Sequence, residues 1–132
     1  FFFDEPVALA AGHRPCGECR RASYTAFLAA AHHTGPIAIF DQKLHHARAI
    51  ARVFEQRRTT QHYADLPDGA FVLTDAGQPA LIWQDALFPF RPSGYQAPLV
   101  RPKSGETSVL TPSPSLIALR EGYQVSPRFA KT

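Results

Sequence analysis

Apolar residues in the first half of the chain recur at the spacing of an α-helix. In the segment 20–33, the positions i, i+3, i+4 and i+7 are filled by Tyr24, Phe27, Leu28 and Ala31. Because these positions lie on one side of a helix, the pattern predicts an amphipathic helix with one buried face. Gly35 and Pro36 follow and are expected to end it.

Two further helices are predicted in this half. One covers about residues 42–57, with Asp41 as its N-terminal cap. Its apolar stripe comprises Leu44, Ala47, Ala51 and Phe54, and a separate face carries His45, Arg48 and Arg52. The other is a short helix near the start of the chain, which Asp4 caps, Pro6 opens and Gly12 ends.

Beyond residues 66–69 the pattern changes to short apolar runs separated by turn residues, which is typical of strands. Two hairpins are predicted, the first from residues 70–74 and 79–83, and the second from 98–101 and 107–110. A short final helix is expected over about residues 115–121, capped by Ser113 or Ser115 and ended by Gly122.

The predicted fold class is therefore α+β. A helical N-terminal half carries a Cys-x-x-Cys turn, and a C-terminal half rich in β-hairpins ends in the short helix. We expect a single domain over residues 1–132, with the helical half at about 1–63 and the β-rich half at about 64–132. At 132 residues and 45% hydrophobic composition, one core is sufficient for stability.

The excess positive charge lies in the helical half. Residues 1–62 hold eight Lys/Arg and five Asp/Glu, which accounts for the whole net charge of +3. This distribution permits contact with an anionic partner. No apolar run approaches the roughly 20 residues that span a bilayer, and no secretory signal is recognisable. We therefore expect a cytoplasmic protein with no membrane partner.

Cys16 and Cys19 form the strongest chemical motif in the chain. Two thiolates at this spacing can bind one tetrahedral zinc ion, and Gly17 between them lets the backbone bend around the metal. Their negative charge would be offset by Arg14, Arg20 and Arg21. Two alternatives remain, a redox-active dithiol and a pair of metal-free thiols. A redox pair usually follows a hydrophobic strand, whereas a predicted short helix precedes this one.

The segment 3–20, FDEPVALAAGHRPCGECR, resembles the second half of the zinc-binding module of the Ada DNA-repair family. A short helix, a glycine stop and Arg-Pro-Cys-x-x-Cys occur in the same register. The resemblance implies zinc as the cofactor and Cys16 and Cys19 as its ligands. In that family the other two ligands come from a cysteine pair that precedes the helix. The residue that accepts a methyl group from DNA phosphate belongs to the same upstream half, so methyl-transfer repair is not implied here.

The remainder of the chain resembles an uncharacterised bacterial protein family, through Leu-Pro-Asp-Gly at 66–69 and Val-Leu-Thr-Pro at 109–112. This second resemblance implies no activity. A structural zinc site takes four ligands, so two remain to be found. His45 and His62 are predicted, since both lie in segments that can fold back over the first long helix. The alternative is that residues upstream of this sequence complete the site.

Three functions remain open at this stage, and whether the protein is an enzyme is undecided. The first is a zinc-stabilised module that contacts the phosphates of DNA or RNA through Arg14, Arg20, Arg21, Arg48 and Arg52. The second is a metal-dependent, hydrolase-like enzyme that uses His45, His62, Asp65, Asp68 and Asp85. The third is an interaction module of unknown partner, built on the aromatic residues of 83–95, which we expect to pack in the core instead.

Overall fold

The computed structural model describes residues 3–18, 20–53 and 60–129, and of residues 47–53 it describes the backbone alone. Within these residues the chain forms four α-helices and a seven-stranded antiparallel sheet, which confirms the α+β class. The helices that the structure describes include none that is long and apolar enough to cross a bilayer.

Three helices precede the sheet and one follows it. They are α1 (Glu5–Ala10), α2 (Arg21–Ala30), α3 (Ile37–Val53) and α4 (Ser113–Arg120). The strands are β1 (Thr60–His62), β2 (Phe71–Leu73), β3 (Pro79–Trp83), β4 (Ala86–Arg91), β5 (Gly94–Tyr95), β6 (Leu99–Val100) and β7 (Glu106–Val109). A single 3₁₀ turn, Tyr63–Asp65, follows β1.

The order of the strands is β1-β7-β2-β3-β4-β5, and β6 pairs with β4 beside β5. The first predicted hairpin is confirmed, since β2 pairs with β3 in the register Phe71↔Leu81. The second predicted hairpin is wrong. β6 pairs with Ala86 and Leu87 of β4, whereas β7 lies between β1 and β2.

Burial explains why β6 and β7 do not pair with each other. Thr107 and Val109 alternate with more exposed neighbours in β7 and are both buried, which requires a position inside the sheet. Both residues of β6 are exposed, and Val100 keeps 85% of its accessible surface, so β6 fits only at an edge. Arg101, the residue after β6, anchors the loop between β6 and β7 to the segment after β1. Its guanidinium donates hydrogen bonds to the carbonyls of Tyr63 and Leu66.

The sheet has apolar side chains on both faces. Alternation along β3 places Ala80 and Ile82 in the larger core and Leu81 in the smaller one. The larger core draws residues from both halves of the chain, including Phe27, Phe40, Leu44, Ile82 and Leu116. The smaller core is an aromatic cluster formed by Phe3, Phe71, Phe88, Phe90, Tyr95 and Phe129. The aromatic residues of 83–95 therefore pack in the core, as predicted.

Two helix boundaries differ from the prediction, which are the end of α2 and the start of α3. α2 ends at Ala30, because His32 takes a left-handed backbone conformation with φ at 57° before Gly35 is reached. α3 begins at Ile37, five residues before the predicted start near residue 42. Phe40 is the reason, since its ring packs edge to face on Phe27 with centroids 5.7 Å apart. Asp41 consequently lies inside the helix and does not cap it.

Candidate metal centre at the cysteine turn

α1 leads into the segment that contains the cysteines, and both of its ends are defined by local interactions. Its N-terminus is capped by Asp4, whose Oδ1 accepts a hydrogen bond from the Val7 amide at 3.0 Å. Its C-terminus is closed by Gly12, which has φ at 90°, a conformation that residues with a Cβ rarely adopt. The amide of His13 then donates to the carbonyl of Ala8 at 3.0 Å. The predicted short helix and its glycine stop are both confirmed.

Two contacts involve the described residues on either side of Cys19. The Arg20 amide donates to the carbonyl of Cys16 at 3.0 Å. A Cβ built on Gly17 would lie 3.4 Å from the ring of Tyr24 in α2, so the turn packs directly on that ring. The side chain of Cys16 is exposed. Cys19 lies outside the described residues, and the relative placement of the two thiols stays a prediction.

Arg14 is a fixed cation beside Cys16. Its Nε and Nη2 donate to Oδ1 and Oδ2 of Asp41 at 2.7 and 3.1 Å, and its Nη1 donates to the Pro15 carbonyl at 3.0 Å. The guanidinium also lies over the ring of Tyr24, 5.3 Å from the centroid. The Asp41 hydrogen bond raises the pKa of Arg14 against the opposing effect of burial, and the charge of Cys16 contributes in the same upward direction. A thiolate at Cys16 therefore faces a permanent positive charge.

Arg20 and Arg21 lie on either side of the start of α2 and have different partners. Arg20 Nη1 donates to Glu5 Oε2 at 2.9 Å, which ties the residue after the cysteines back to α1. Arg21 is exposed and its guanidinium lies 5.5 Å from the centroid of the Tyr24 ring. Of the other predicted nucleic-acid contacts, Arg48 and Arg52 lie on α3, where the structure describes the backbone alone.

The two predicted histidine ligands are exposed residues of different elements. His45 lies on α3. His62 lies in β1 directly opposite Glu106, and its Nε2 is 3.8 Å from Glu106 Oε1. Within residues 3–18, 20–53 and 60–129, no group of three or more His, Cys, Asp or Glu side chains is arranged to hold a metal ion. Cys19 is outside those ranges, so the four-ligand set of Cys16, Cys19, His45 and His62 stays a prediction.

Asp68, a candidate for hydrolytic chemistry, has a structural role. Its Oδ1 accepts a hydrogen bond at 2.8 Å from the amide of Gln84, which has φ at 55° in the tight turn between β3 and β4. Asp65 and Asp85 are exposed. The hydrogen bond of Asp68 therefore stabilises a turn, and hydrolytic chemistry by these residues stays a prediction.

An open groove of about 600 Å³ lies between α2 and the residues after α4. Its floor consists of small side chains of α2, and His32 and Glu121 form an ion pair at its side, with Nε2 and Oε1 3.5 Å apart. The groove does not include the cysteine turn.

The sequence did not identify four residues that surround the cysteine motif, which are Glu5, Tyr24, Asp41 and Tyr123. Asp41 and Glu5 accept hydrogen bonds from Arg14 and Arg20, Tyr24 lies under the Arg14 guanidinium, and Tyr123 donates to Glu5. The position of Tyr24 could be predicted, since it belongs to the apolar face of the helix predicted over residues 20–33. The partnership of Arg14 with Asp41 spans 27 residues and leaves no local pattern.

Comparison with known proteins does not add a family to these observations. No family model matches the chain, and neither the curated proteins nor the solved structures include a significant match. The resemblance to the Ada module therefore rests on residues 3–20 alone.

Proposed function

We propose that the cysteine turn is a structural zinc site and that the protein is a zinc-binding module. The observation that supports this most strongly is the environment of Cys16. Its exposed side chain lies beside Arg14, a cation that Asp41 holds in place with two hydrogen bonds. Zinc binds cysteine as the thiolate, and a nearby cation favours this deprotonated form.

The start of α2 supports the same proposal. Arg20, at the N-cap position, makes no capping hydrogen bond with its side chain, and the first turn of α2 contains no acidic residue. Among the described residues, neither the N-cap nor the first turn of α2 places a side-chain anion at the partial positive charge of this helix terminus. In the proposal the Cys19 thiolate supplies that negative charge. Bound zinc would cross-link the turn to α2, and its chemistry would be that of a structural ion.

Metal titration tests this proposal and the predicted histidines together. We expect about one Zn²⁺ or Co²⁺ per chain, with the near-ultraviolet charge-transfer absorption of cobalt–thiolate bonds. His45→Ala and His62→Ala should each weaken binding, whereas His46→Ala, which removes an exposed neighbour, should not. If neither variant alters the affinity, the remaining ligands are not His45 and His62. Wild-type protein without charge-transfer absorption would contradict the zinc site itself.

We also propose a second, nucleic-acid-binding role for the helical half of the chain. It is favoured by Arg21, which is exposed beside the turn and stacks on Tyr24, and by the concentration of net charge in the first 62 residues. Arg14 and Arg20 are committed to Asp41 and Glu5, so Arg21, Arg48 and Arg52 are the cations proposed to contact phosphates.

Salt-dependent binding checks this second role. We expect wild-type protein to bind a short DNA or RNA duplex at low salt. Replacing Arg21, Arg48 and Arg52 with Gln should weaken binding and flatten the plot of log K against log salt by about 0.9 for each phosphate that is no longer neutralised. A control with Arg91→Gln and Lys103→Gln removes cations from the β-rich half and should bind as wild type. Absence of wild-type binding at low salt would contradict this role.

A further inference from the structure

Glu5, the first residue of α1, accepts hydrogen bonds from two side chains of distant segments. Its Oε2 accepts a hydrogen bond from Arg20 Nη1 at 2.9 Å and another from the Tyr123 hydroxyl at 2.6 Å. Its side chain is only 12% exposed, so water cannot replace these partners fully. One carboxylate therefore joins three separate segments, which are α1, the residue after the cysteines, and the chain beyond α4.

The position of Arg20 makes this contact relevant to the metal. Arg20 directly follows Cys19, and its own amide closes the turn on the Cys16 carbonyl at 3.0 Å. Glu5 belongs to α1, which leads into the turn. The ion pair between Glu5 and Arg20 consequently connects the first turn of α1 with the residue that follows the proposed ligands.

The segment 123–129 is held on α1 by a second set of contacts. Asp4 Oδ2 accepts hydrogen bonds from the Tyr95 hydroxyl at 2.6 Å and from the Arg128 amide at 2.9 Å. Arg128 also stacks on Phe3, and Phe129 packs on Phe88 with ring centroids 4.6 Å apart. The segment therefore cannot move from α1 without breaking polar and aromatic contacts.

We infer that Glu5 is a positioning residue for the metal-binding turn, and that Tyr123 acts through it to make metal affinity depend on the docking of residues 123–129. This inference rests on the proposed zinc site. Hydrogen bonds made directly to metal ligands orient those ligands, and removing them typically weakens binding about 10- to 100-fold. Glu5 acts one step further out, through Arg20, so we expect the lower end of that range. Here the acceptor, Glu5, would act by holding Arg20 and the turn backbone rather than by touching the metal.

The protonation of Tyr123 supports a permanent contact at neutral pH. Burial, followed by the hydrogen bond to Glu5, raises the pKa of this phenol well above its ordinary value. Because folding raises the pKa of Tyr123, its hydrogen bond to Glu5 contributes fully to stability below the ordinary tyrosine pKa of about 10. That contribution is lost only as the pH rises through the pKa of Tyr123 in the folded protein.

Matched variants of the full chain test the inference. Tyr123→Phe and Glu5→Gln should each weaken zinc binding about 10-fold in a chelator competition. Tyr95→Phe removes a phenol hydroxyl that links β5, and not the segment 123–129, to Asp4. It keeps the ring that packs on Phe129 and the hydrogen bond from the Arg128 amide to Asp4, so the segment stays docked. Glu121→Gln removes an exposed carboxylate near Tyr123. Both controls should keep wild-type affinity even where they lower the free energy of unfolding.

Arg20→Gln should weaken zinc binding, and Arg20→Lys, which retains a cation for Glu5, should restore most of the affinity.

A second measurement needs no metal and separates this inference from the proposed function. In zinc-free protein, amide hydrogen exchange at Arg20 reports the closure of the turn on Cys16. It should be several-fold faster in Tyr123→Phe than in wild type or Tyr95→Phe, because the lost hydrogen bond to Glu5 makes local opening of this segment less costly. If wild type binds no zinc, the proposed function fails while this exchange rate still decides whether Glu5 and Tyr123 hold the turn. Unchanged exchange in Tyr123→Phe, or equal zinc affinities in Tyr123→Phe and Tyr95→Phe, would overturn the inference.

Discussion

Replacing Cys16 with Ser should abolish stoichiometric zinc binding and reduce the melting temperature to that of metal-stripped protein. At a structural site the free energy of metal binding is also free energy of folding, and it reaches about 10–16 kcal/mol in small zinc-dependent modules. Cys19→Ser should have the same effect, because each thiolate supplies one of four bonds. Elemental analysis and thermal unfolding with and without a chelator measure both consequences.

The control for this experiment is Glu18→Gln. Glu18 is exposed between the cysteines, and its replacement changes the local charge without removing a thiol. It should retain metal. Wild-type protein whose melting temperature is unchanged by a strong chelator would contradict a structural role for zinc. A Cys16–Cys19 disulfide in correctly folded protein would support the redox alternative instead.

Replacing Phe27 with Ala should lower the free energy of unfolding by about 3–5 kcal/mol. Phe27 is fully buried in the larger core. Its ring packs edge to face on Phe40 and on Tyr123, with centroids 5.7 and 5.1 Å away. The substitution removes buried surface and two aromatic contacts at once, and it leaves a cavity between α2, α3 and the segment that begins at Tyr123.

Urea or guanidinium unfolding measures this loss, with Ile39→Ala as the control. Ile39 is also an apolar residue of a helix, but it is 46% exposed, and its truncation should cost less than about 1 kcal/mol. A total stability of about 5–15 kcal/mol is usual for a domain, so the Phe27 variant should unfold at much lower denaturant. Similar losses in the two variants would mean that Phe27 is not central to the core.

Elements defined by neighbours in the sequence were predicted well. The cap at Asp4, the first helix and the stop at Gly12 depend on contacts within about four residues, so the local pattern contains all the information. The same holds for the hairpin of β2 and β3, in which a short turn joins strands with apolar alternation. The end of the final helix at Gly122 is of this kind as well.

Elements defined by distant partners were predicted poorly. β1, β4 and β5 were not predicted, and the runs at β6 and β7 were paired with each other although they join different neighbours. A hydrophobic pattern shows which face of a strand is buried, but not which strand lies beside it. Likewise, aspartate is a residue type that commonly caps helices, so the sequence favoured a helix that begins after Asp41. The packing of Phe40 on Phe27 instead starts α3 at Ile37, before Asp41.

For the proposed metal site, the sequence by itself determined the chemistry, which is two cysteines at zinc-ligand spacing, a glycine between them and three arginines nearby. The tertiary structure alone decided what those arginines do. Asp41 and Glu5 hold Arg14 and Arg20 across 27 and 15 residues, whereas Arg21 stays exposed over the ring of Tyr24. The physical reason is that carboxylates bind whichever cation the folded backbone brings within about 3 Å. That distance depends on how α1, α2 and α3 pack, which no local spacing encodes.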